Sequence, residues 1–447
     1  MPSYGLMLFL LTAANYGLGL LIESNRKQKL YLWLALLVNV GALVYYKYAN
    51  FLLSSIFETQ RAVSSIFDIH AMPLSTPVFD IILPLGISFF AFEFIHYNVD
   101  IKRGSKALKN PLDFALFASF FPSQVAGPIK RYQQFDEQLN EPKRLNQEDM
   151  IVGMGFLMKG LFKKVALADN LAPITAMGVN SVQNLGSLDS WVLIFVFVLQ
   201  VYFDFSGYTD MGIGSARLLG FHLPNNFNLP YVASKNMIEF WTRWHITLSG
   251  WLRDYLQTPM TGFRASRLRF NVATVITMTI CGLWHGAAWH YVLWGVVHGL
   301  LLVATREYLQ FVKGSAALKK FHAQSWTIPV SCLLTFILLH FTQPFFIARN
   351  VTDALIIERN MVWFTPSPGL LATAFLQSPV VMALLLYAVY GLIFVEIPWL
   401  SATKKLAPLQ VLLTGSVPRQ VALYVCVFVA AIAFCPELTS PFIYFQF

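Results

Sequence analysis

The chain has 447 residues, of which 56% are hydrophobic and 12% are charged, and its formal net charge is +9 at pH 7. Soluble domains carry about 25% charged residues, so too few charges are present to cover a water-exposed surface. A soluble enzyme and a disordered chain are therefore excluded, and the composition predicts a polytopic membrane protein. Because basic residues in such proteins gather in cytoplasmic loops, the positive charge does not indicate nucleic acid as a partner.

The first apolar segment runs from Leu6 to Ile22 and is followed by Arg26, Lys27 and Lys29. A secretory signal carries its positive charge before the apolar segment rather than after it. The order found here predicts an uncleaved first helix, with the N-terminus outside and the basic loop in the cytoplasm.

Further apolar segments follow, and each approaches the roughly 20 residues that a helix needs to cross the hydrocarbon core. They lie at about 30–48, 79–101, 151–169, 189–205, 327–347, 379–397 and 419–436, with a longer apolar run at 270–305. Basic clusters alternate with these segments, whereas residues 170–188 carry no charge. The pattern predicts an all-α polytopic fold of about ten transmembrane helices with both termini outside, in one integral membrane domain over residues 1–447.

Two regions break this pattern. Residues 112–128 are apolar but contain Pro122, Gly127 and Pro128, and basic residues flank both ends. This predicts a re-entrant loop that enters and leaves from the cytoplasm, which is tolerated only where the backbone is buried in protein or lines a cavity. Residues 206–260 are too polar to face lipid and too aromatic for an ordinary loop.

Two histidines have unusual neighbours. His245 ends the segment Phe-Trp-Thr-Arg-Trp-His at 240–245, and His285 lies in Gly-Leu-Trp-His-Gly-Ala-Ala-Trp at 282–289. An ionisable residue at membrane depth needs a partner or a cavity, and imidazole titrates near neutral pH, which suits general-base catalysis on a hydroxyl. From the residues alone two interpretations stay open, a catalytic histidine and a structural hydrogen bonder between helices.

Neither metal nor disulfide chemistry is indicated by the sequence. His290 and His298 follow on the same predicted return helix, where a packing role is favoured. No histidine pair has the spacing of a metal site, and no Asp or Glu occurs between Asp254 and Glu307. The four cysteines contain no Cys-x-x-Cys pair, so neither a disulfide framework nor a zinc site is predicted.

Two carboxylates, Asp204 and Asp210, lie in a segment that follows a predicted span and also contains Ser206 and Tyr208. Charges at the membrane edge are costly unless they are paired. A structural role in a buried polar scaffold around a reaction chamber is therefore favoured over direct catalysis. The basic side chains expected to pair with these carboxylates are Arg217, Arg243 and Arg253.

Six segments, in order across about residues 80–300, resemble the membrane-bound O-acyltransferases, and among them the bacterial branch that contains alginate O-acetyltransferase. The segments are 83–90, 126–129, 203–210, 226–231, the Trp244-His245 segment and 282–289. The resemblance implies transmembrane helices with re-entrant and short helices around a central reaction chamber, with His285 as the essential catalytic residue and His245 as a supporting one. The other side chains expected at this chamber are Trp284, Trp244, Asp204, Ser206, Tyr208, Asp210, Asn228, Arg243, Arg253 and Asp254.

The resemblance also implies the substrates and partners. The acyl donor is expected to be cytoplasmic acetyl-CoA, with no bound cofactor and no metal. The acceptor is expected to be an extracytoplasmic polysaccharide, reached with a secreted or membrane-anchored acetyltransferase- or esterase-like partner, and the chain is placed in the cell inner membrane. Residues 305–447 match no motif of the family, and the acceptor polymer stays open.

Two alternatives remain at this point. One is the transfer of D-alanine from a carrier protein to teichoic acid, the activity of another member of the same wider branch. The other, from a different class, is a proton-coupled transporter in which intramembrane His and Asp relay protons. The lack of internal repeats and the Trp-rich, Gly-flanked surroundings of both histidines favour the enzyme over the transporter.

Overall fold

A computed structural model describes residues 2–66, 78–124, 127–141, 146–228, 231–262, 264–394, 417–437 and 440–442. These residues are mostly helical, and their β structure is limited to an isolated bridge between Phe227 and Trp244. The all-α prediction is therefore confirmed. Parts of the predicted elements, at residues 126, 229–230 and 395–397, lie outside the described residues.

The helices group into two compact units. The described residues up to 124, together with 129–141, form the first unit, and residues 127–128 with those from 146 onward form the second. The helices of the first unit are α1 (Pro2–Ser24), α2 (Leu30–Leu43), α3 (Ala49–Ile66), α4 (Ile87–Arg103), α5 (Pro111–Ser119), α6 (Phe121–Gln124) and α7 (Tyr132–Leu139).

Polar side chains join three helices inside the first unit. Asn15 on α1, Asn39 on α2 and Asn98 on α4 are all buried, and Asn39 Nδ2 and Asn98 Nδ2 both donate to Asn15 Oδ1, over 2.7 and 2.8 Å. Hydrogen bonds of this kind hold membrane helices together where the hydrophobic effect no longer distinguishes helix from lipid.

The predicted span at 79–101 is shortened, because α4 begins only at Ile87.

The interrupted segment at 112–128 is broken as its prolines and glycine indicated. Helix α5 ends at Ser119, and the short α6 follows immediately after Phe120. At the start of α5, the side chain of Asn110 accepts a hydrogen bond from the Leu112 N–H, which is a standard N-cap followed by proline. The path of this segment through a bilayer stays a prediction.

The second unit contains the remaining helices and the site described below. They are α8 (Gln147–Phe162), α9 (Asp169–Asn180), α10 (Ser187–Leu218), α11 (Met237–Trp241), α12 (Ile246–Leu252), α13 (Thr258–Thr261), α14 (Arg267–His285), α15 (Trp289–Gly314), α16 (Ala316–His322), α17 (Thr327–Thr342), α18 (Pro344–Ile347), α19 (Val351–Val362), α20 (Leu370–Gln377), α21 (Val380–Phe394) and α22 (Val417–Ala433).

Several helices in the described part of the chain are long and apolar enough to cross a membrane, so a multi-pass membrane protein is confirmed. Helices also cover most of the other predicted spans, and the total of about ten crossings stays a prediction. The five that pass by length and composition are Tyr4–Ser24, Leu30–Ile66, Ser187–Leu218, Trp289–Gly314 and Thr327–Ile347, and the bent pair Leu370–Gln377 and Val380–Ala388 makes a sixth if it forms one span.

Helix α10 is longer than the sequence indicated. The predicted span ended near residue 205, but the helix continues without interruption to Leu218 and carries the 203–210 motif in its middle. It packs closely against α8, because a Cβ added at Gly160 would lie 2.5 Å from the carbonyl oxygen of Gly207. Small residues at such crossings let two membrane helices approach backbone to backbone. This close packing places the carboxylates of α10 against the lysines that follow α8.

Candidate active site

One cavity of the second unit has both motif histidines in its wall. His245 and His285 line it together with Trp244, and most of the other lining side chains are aromatic or aliphatic. Its empty volume is about 780 Å³, open solvent at its mouth included. A space of this size, mostly apolar with a few polar groups, is typical of a small-molecule site.

The hairpin of α14 and α15 fixes the position of His285. His285 is the last residue of α14, and α15 begins at Trp289. A Cβ at Gly282 would lie 2.1 Å from the Tyr291 carbonyl oxygen, and one at Gly295 would lie 2.2 Å from that of Met278. Only glycine fits at these two positions, so the Gly-Leu-Trp-His motif combines a close helix crossing with an imidazole at its end.

Aromatic rings surround the His285 imidazole, which is 5% exposed. Its ring centroid lies 4.8 Å from that of Trp284, 5.2 Å from that of Trp294 and 4.9 Å from that of Phe346. The Trp284 ring also lies 6.1 Å from the ring of His245. Trp284 therefore contacts both histidines.

The backbone at His245 is unusual. With φ 46° and ψ 52°, His245 is the only non-glycine residue with positive φ in the described ranges. This left-handed conformation costs of order 1–3 kcal/mol and persists only where the surroundings impose it. Here the Ile246 N–H donates to the Asn226 carbonyl over 3.0 Å, and the His245 ring packs on Phe205 of α10 at 4.6 Å.

Asn226 orients the His245 imidazole. Its Oδ1 lies 3.3 Å from His245 Nδ1 and also accepts from the Thr247 hydroxyl over 2.6 Å, while its Nδ2 donates to Thr209 of α10 over 3.3 Å. Because a carbonyl oxygen can only accept, Nδ1 carries the proton and Nε2 is the acceptor nitrogen of neutral His245. Sequence reasoning selected Asn228 from the same motif, but only the backbone N–H of Asn228 has a role here, donating to the Arg243 carbonyl over 2.9 Å.

The carboxylates of α10 are paired, but not with the expected arginines. Lys163 Nζ lies 2.8 Å from Asp210, Lys159 Nζ lies 3.3 Å from Asp210, and Lys164 Nζ lies 2.9 Å from Asp204. None of these side chains lines the cavity. The prediction of a buried, paired scaffold holds, whereas the predicted partners are wrong because the neighbouring helix supplies lysines.

The three arginines form ion pairs with other carboxylates. They pair as Arg217 with Asp149, Arg243 with Glu239 and Arg253 with Asp254. Glu239 lies on the short helix α11. Partial burial raises the pKa of the Glu239 carboxyl, but hydrogen bonds from the Lys235 N–H and from Arg243 outweigh this effect and hold the pKa below its usual value. The Glu239 carboxyl therefore stays ionised at neutral pH, and its ion pair with Arg243 fixes the turn before Trp244.

The other expected chamber residues lie outside the cavity lining. Ser206 is buried within α10, the Tyr208 ring packs on Phe442 at 4.6 Å, and Arg253 contacts Asp254 at 2.9 Å. In the described ranges, no group of three or more His, Cys, Asp or Glu side chains is arranged to hold a metal ion.

The geometry is that of a largely apolar cavity with two histidines in its wall, and the family comparison agrees with it. The model of the MBOAT, membrane-bound O-acyltransferase family matches residues 27–346. The chain belongs to the membrane-bound O-acyltransferase family. The resemblance predicted from the six segments is therefore confirmed.

Among curated proteins, this membrane-bound O-acyltransferase is similar to several bacterial O-acetylating enzymes. A probable alginate O-acetylase of Azotobacter vinelandii is 39% identical over 66% of this chain, and the match spans 58% of that protein's length. A peptidoglycan O-acetyltransferase of Helicobacter pylori is 35% identical over 78% of this chain and 68% of its own length. A probable alginate O-acetylase of Pseudomonas putida is 33% identical over 98% of this chain and 89% of its own length.

Sequence reasoning missed part of the acyltransferase chamber. Trp241, Trp294, His298 and His340 all line the cavity. His298 was expected to be a packing residue, and His340 was not singled out. The spacing of Trp294 and His298 places both on one face of α15, but a long apolar helix does not reveal which face is turned to a cavity.

Proposed function

We propose that this O-acyltransferase moves an acetyl group from acetyl-CoA on the cytoplasmic side to a hydroxyl of an extracytoplasmic polysaccharide, with a secreted or membrane-anchored partner completing the transfer. The proposal rests above all on the placement of His245 and His285 in the wall of one largely apolar cavity. The names of the relatives, O-acetylases of alginate and peptidoglycan, support the acetyl group and the polysaccharide class.

In the proposed reaction, neutral His285 takes the proton of the attacking hydroxyl while its oxygen forms a bond to the thioester carbonyl carbon. The tetrahedral intermediate then breaks its carbon–sulfur bond, and the proton held by His285 goes to the departing sulfur, giving an ester and a free thiol. Positioned N–H donors stabilise the oxyanion of such intermediates by roughly 2.7–4 kcal/mol each. The Trp284 indole contacts both histidines, but Trp284 is not among the side chains that line the cavity, so it supports the two imidazoles and is not assigned as an oxyanion donor.

His245 supports this reaction rather than duplicating it. Since Asn226 Oδ1 accepts from Nδ1 in the neutral ring, Nε2 presents a lone pair and not a proton. The Asn226 contact therefore argues against donation to the oxyanion by the neutral ring. An acceptor nitrogen suits a residue that orients a hydroxyl or a water molecule in the chamber.

The central test uses the purified full chain in proteoliposomes, with labelled acetyl-CoA on the cytoplasmic-equivalent side. We expect slow release of free thiol by the protein alone and efficient polymer acetylation only when a partner is added. Between the predicted spans at 327–347 and 379–397 lies the segment 348–378, which is expected on the outer side. The partner is expected because this segment is short and carries no nucleophile motif.

The outcomes of this test separate the alternatives. A proton-coupled transporter releases no free thiol. Labelling from an acyl carrier protein, but not from acetyl-CoA, favours D-alanine transfer. Full-rate polymer acetylation by this chain alone contradicts the partner requirement.

A second prediction concerns topology. The loop at 170–188 is expected outside and the basic segment at 264–269 inside, because Lys and Arg near span ends are retained in the cytoplasm. Single cysteines at Asn184 and Ser266, which are both exposed, can be treated with an impermeant maleimide in intact cells after the exposed Cys426 and Cys435 are replaced by serine. Only Asn184→Cys should react. Reaction of Ser266→Cys alone would invert the orientation.

A further inference from the structure

Three ring side chains in the cavity wall form a compact cluster. The ring centroids of Trp241 and His298 are 5.6 Å apart, those of Trp294 and His298 are 4.3 Å apart, and those of the two indoles are 6.2 Å apart. Trp294 and His298 are at least 95% buried. The cluster adjoins the proposed reaction centre, because the Trp294 ring also contacts His285 at 5.2 Å.

Each member of this cluster has a polar atom that no described residue satisfies. Within the part of the chain that the structure describes, neither indole Nε1 nor Nδ1 of His298 has a hydrogen-bond partner. The great majority of buried polar atoms in proteins are hydrogen-bonded, and exceptions call for an explanation. Three exceptions in one cavity wall indicate a place for a polar group of a ligand.

The hydrogen bonds around His298 determine what this group must offer. His298 Nε2 lies 2.9 Å from the Thr342 hydroxyl oxygen, and that hydroxyl donates its own proton to the Leu339 carbonyl over 2.7 Å. Thr342 therefore accepts from His298, so the proton is on Nε2, and Nδ1 has a lone pair. Indole N–H groups can only donate. The cluster thus presents two donors and one acceptor.

A hydroxyl group matches this combination, since it donates one hydrogen bond and accepts others. A thioester carbonyl or an oxyanion could accept hydrogen bonds from the indoles. It has no proton to donate, however, so one of its oxygen lone pairs would face the lone pair of His298 Nδ1. An ammonium group could donate to His298 but would leave both indoles unsatisfied. The polar atoms of the cluster therefore select for an alcohol over the acyl donor.

We propose that Trp241, Trp294 and His298 form a hydroxyl-binding subsite that holds the alcohol acceptor of the acyl transfer beside His285. This inference rests on the proposed function and adds to it the residues that recognise the acceptor. The bound hydroxyl keeps its proton, which it donates to His298 Nδ1, and it accepts from the indole N–H groups. The attacking group is a second hydroxyl of the same acceptor, and His285 removes the proton of that one. The subsite affects binding of the acceptor more than it affects cleavage of the thioester by water.

The test separates acceptor use from thioester cleavage. Purified full chain is given acetyl-CoA with and without glycerol as the acceptor probe, and both thiol release and acetylglycerol are measured. Trp294→Phe and Trp241→Phe remove an N–H but keep a ring. His298→Gln keeps a polar atom at the Nε2 position, whereas His298→Asn keeps one at the Nδ1 position. Trp363→Phe is the matched control, since Trp363 is 70% exposed and lies outside the cavity lining.

We expect the wild type to form acetylglycerol. Trp294→Phe and His298→Gln should raise the KM for glycerol about 5- to 10-fold, the effect of one lost hydrogen bond. Thiol release in water alone should fall by a smaller factor than glycerol use in the same variants. His298→Asn should retain more acceptor use than His298→Gln, and Trp363→Phe should match the wild type.

Three outcomes would contradict the proposed subsite. They are equal losses of thiol release and acetylglycerol formation, an unchanged KM for glycerol in all variants, and a wild type that cleaves the thioester but does not use glycerol. If His298 variants fail to accumulate, the two Trp→Phe variants decide the question. A wild type that releases no thiol from any acyl donor contradicts the proposed function itself, and the acceptor subsite is rejected with it.

Discussion

Replacement of His285 by alanine is expected to lower acyl transfer by about 10²–10⁴-fold, the usual effect of removing a general base. The imidazole lies at the end of α14, in the wall of the cavity, and is enclosed by Trp284, Trp294 and Phe346. The helix crossing that positions it depends on glycines elsewhere in the hairpin, so expression and membrane insertion should stay near normal. The measurement is initial-rate thiol release and acyl transfer by purified protein.

His290→Ala is a matched control for this experiment. His290 lies on the same hairpin and is also buried, but its Nδ1 contacts the Phe345 carbonyl at 2.9 Å, and it does not line the cavity. Its loss should affect stability more than the rate of the chemical step. A well-folded His285→Ala protein with full activity would end the catalytic assignment, and one that fails to accumulate would favour a structural role for the histidine.

Replacement of Asp210 by asparagine is expected to destabilise the protein by about 3–5 kcal/mol, because removing one partner of a buried ion pair leaves an uncompensated charge. Asp210 contacts Lys163 at 2.8 Å and Lys159 at 3.3 Å, and the Lys163 side chain is only 2% exposed. The substitution keeps the shape of the side chain but leaves two lysines facing a neutral amide. A lower melting temperature in detergent and a smaller folded fraction should result.

Asp254→Asn is the comparison for the stability measurement. Asp254 pairs with Arg253 at 2.9 Å, and the side chain of that arginine is 67% exposed. Exposed pairs contribute about 0–1 kcal/mol, so this variant should melt near the wild type. Equal melting temperatures for the two variants would show that the lysine cluster at Asp210 is well solvated and not a structural ion pair.

The parts of the site that the sequence predicted are those that lie within one short segment. In the Gly-Leu-Trp-His motif at 282–285, the glycine allows the close helix crossing and the histidine supplies the imidazole. Both residues lie within four positions of the chain. The pairing of 226–228 with the residues before His245 was missed, although both segments were recognised as motifs. The two segments are joined by hydrogen bonds between residues about twenty positions apart in the chain. Such contacts leave no local pattern in the sequence, so the sequence predicts Asn228 at the site, whereas Asn226 contacts His245.

The partners of the α10 carboxylates could not be predicted for a different reason. Which face of α8 meets α10 is determined by the glycine contacts at Gly160 and Gly207. Two of the pairing lysines lie at the start of a π-helical turn, Lys163–Ala168, that directly follows α8. Neither feature has a simple sequence signal. Arginines near the motif were therefore expected to pair with these carboxylates, whereas lysines some forty residues earlier in the chain do so.

The left-handed backbone at His245 means that backbone stability and the proposed role of the imidazole compete at one residue. Glycine adopts this conformation without penalty, so backbone stability alone would favour glycine at position 245. The histidine found there destabilises the backbone relative to glycine. An alanine at this position loses the imidazole yet keeps the backbone penalty, so its reduced activity mixes two effects. The difference between alanine and glycine variants measures the conformational part alone, and only the remainder belongs to the imidazole.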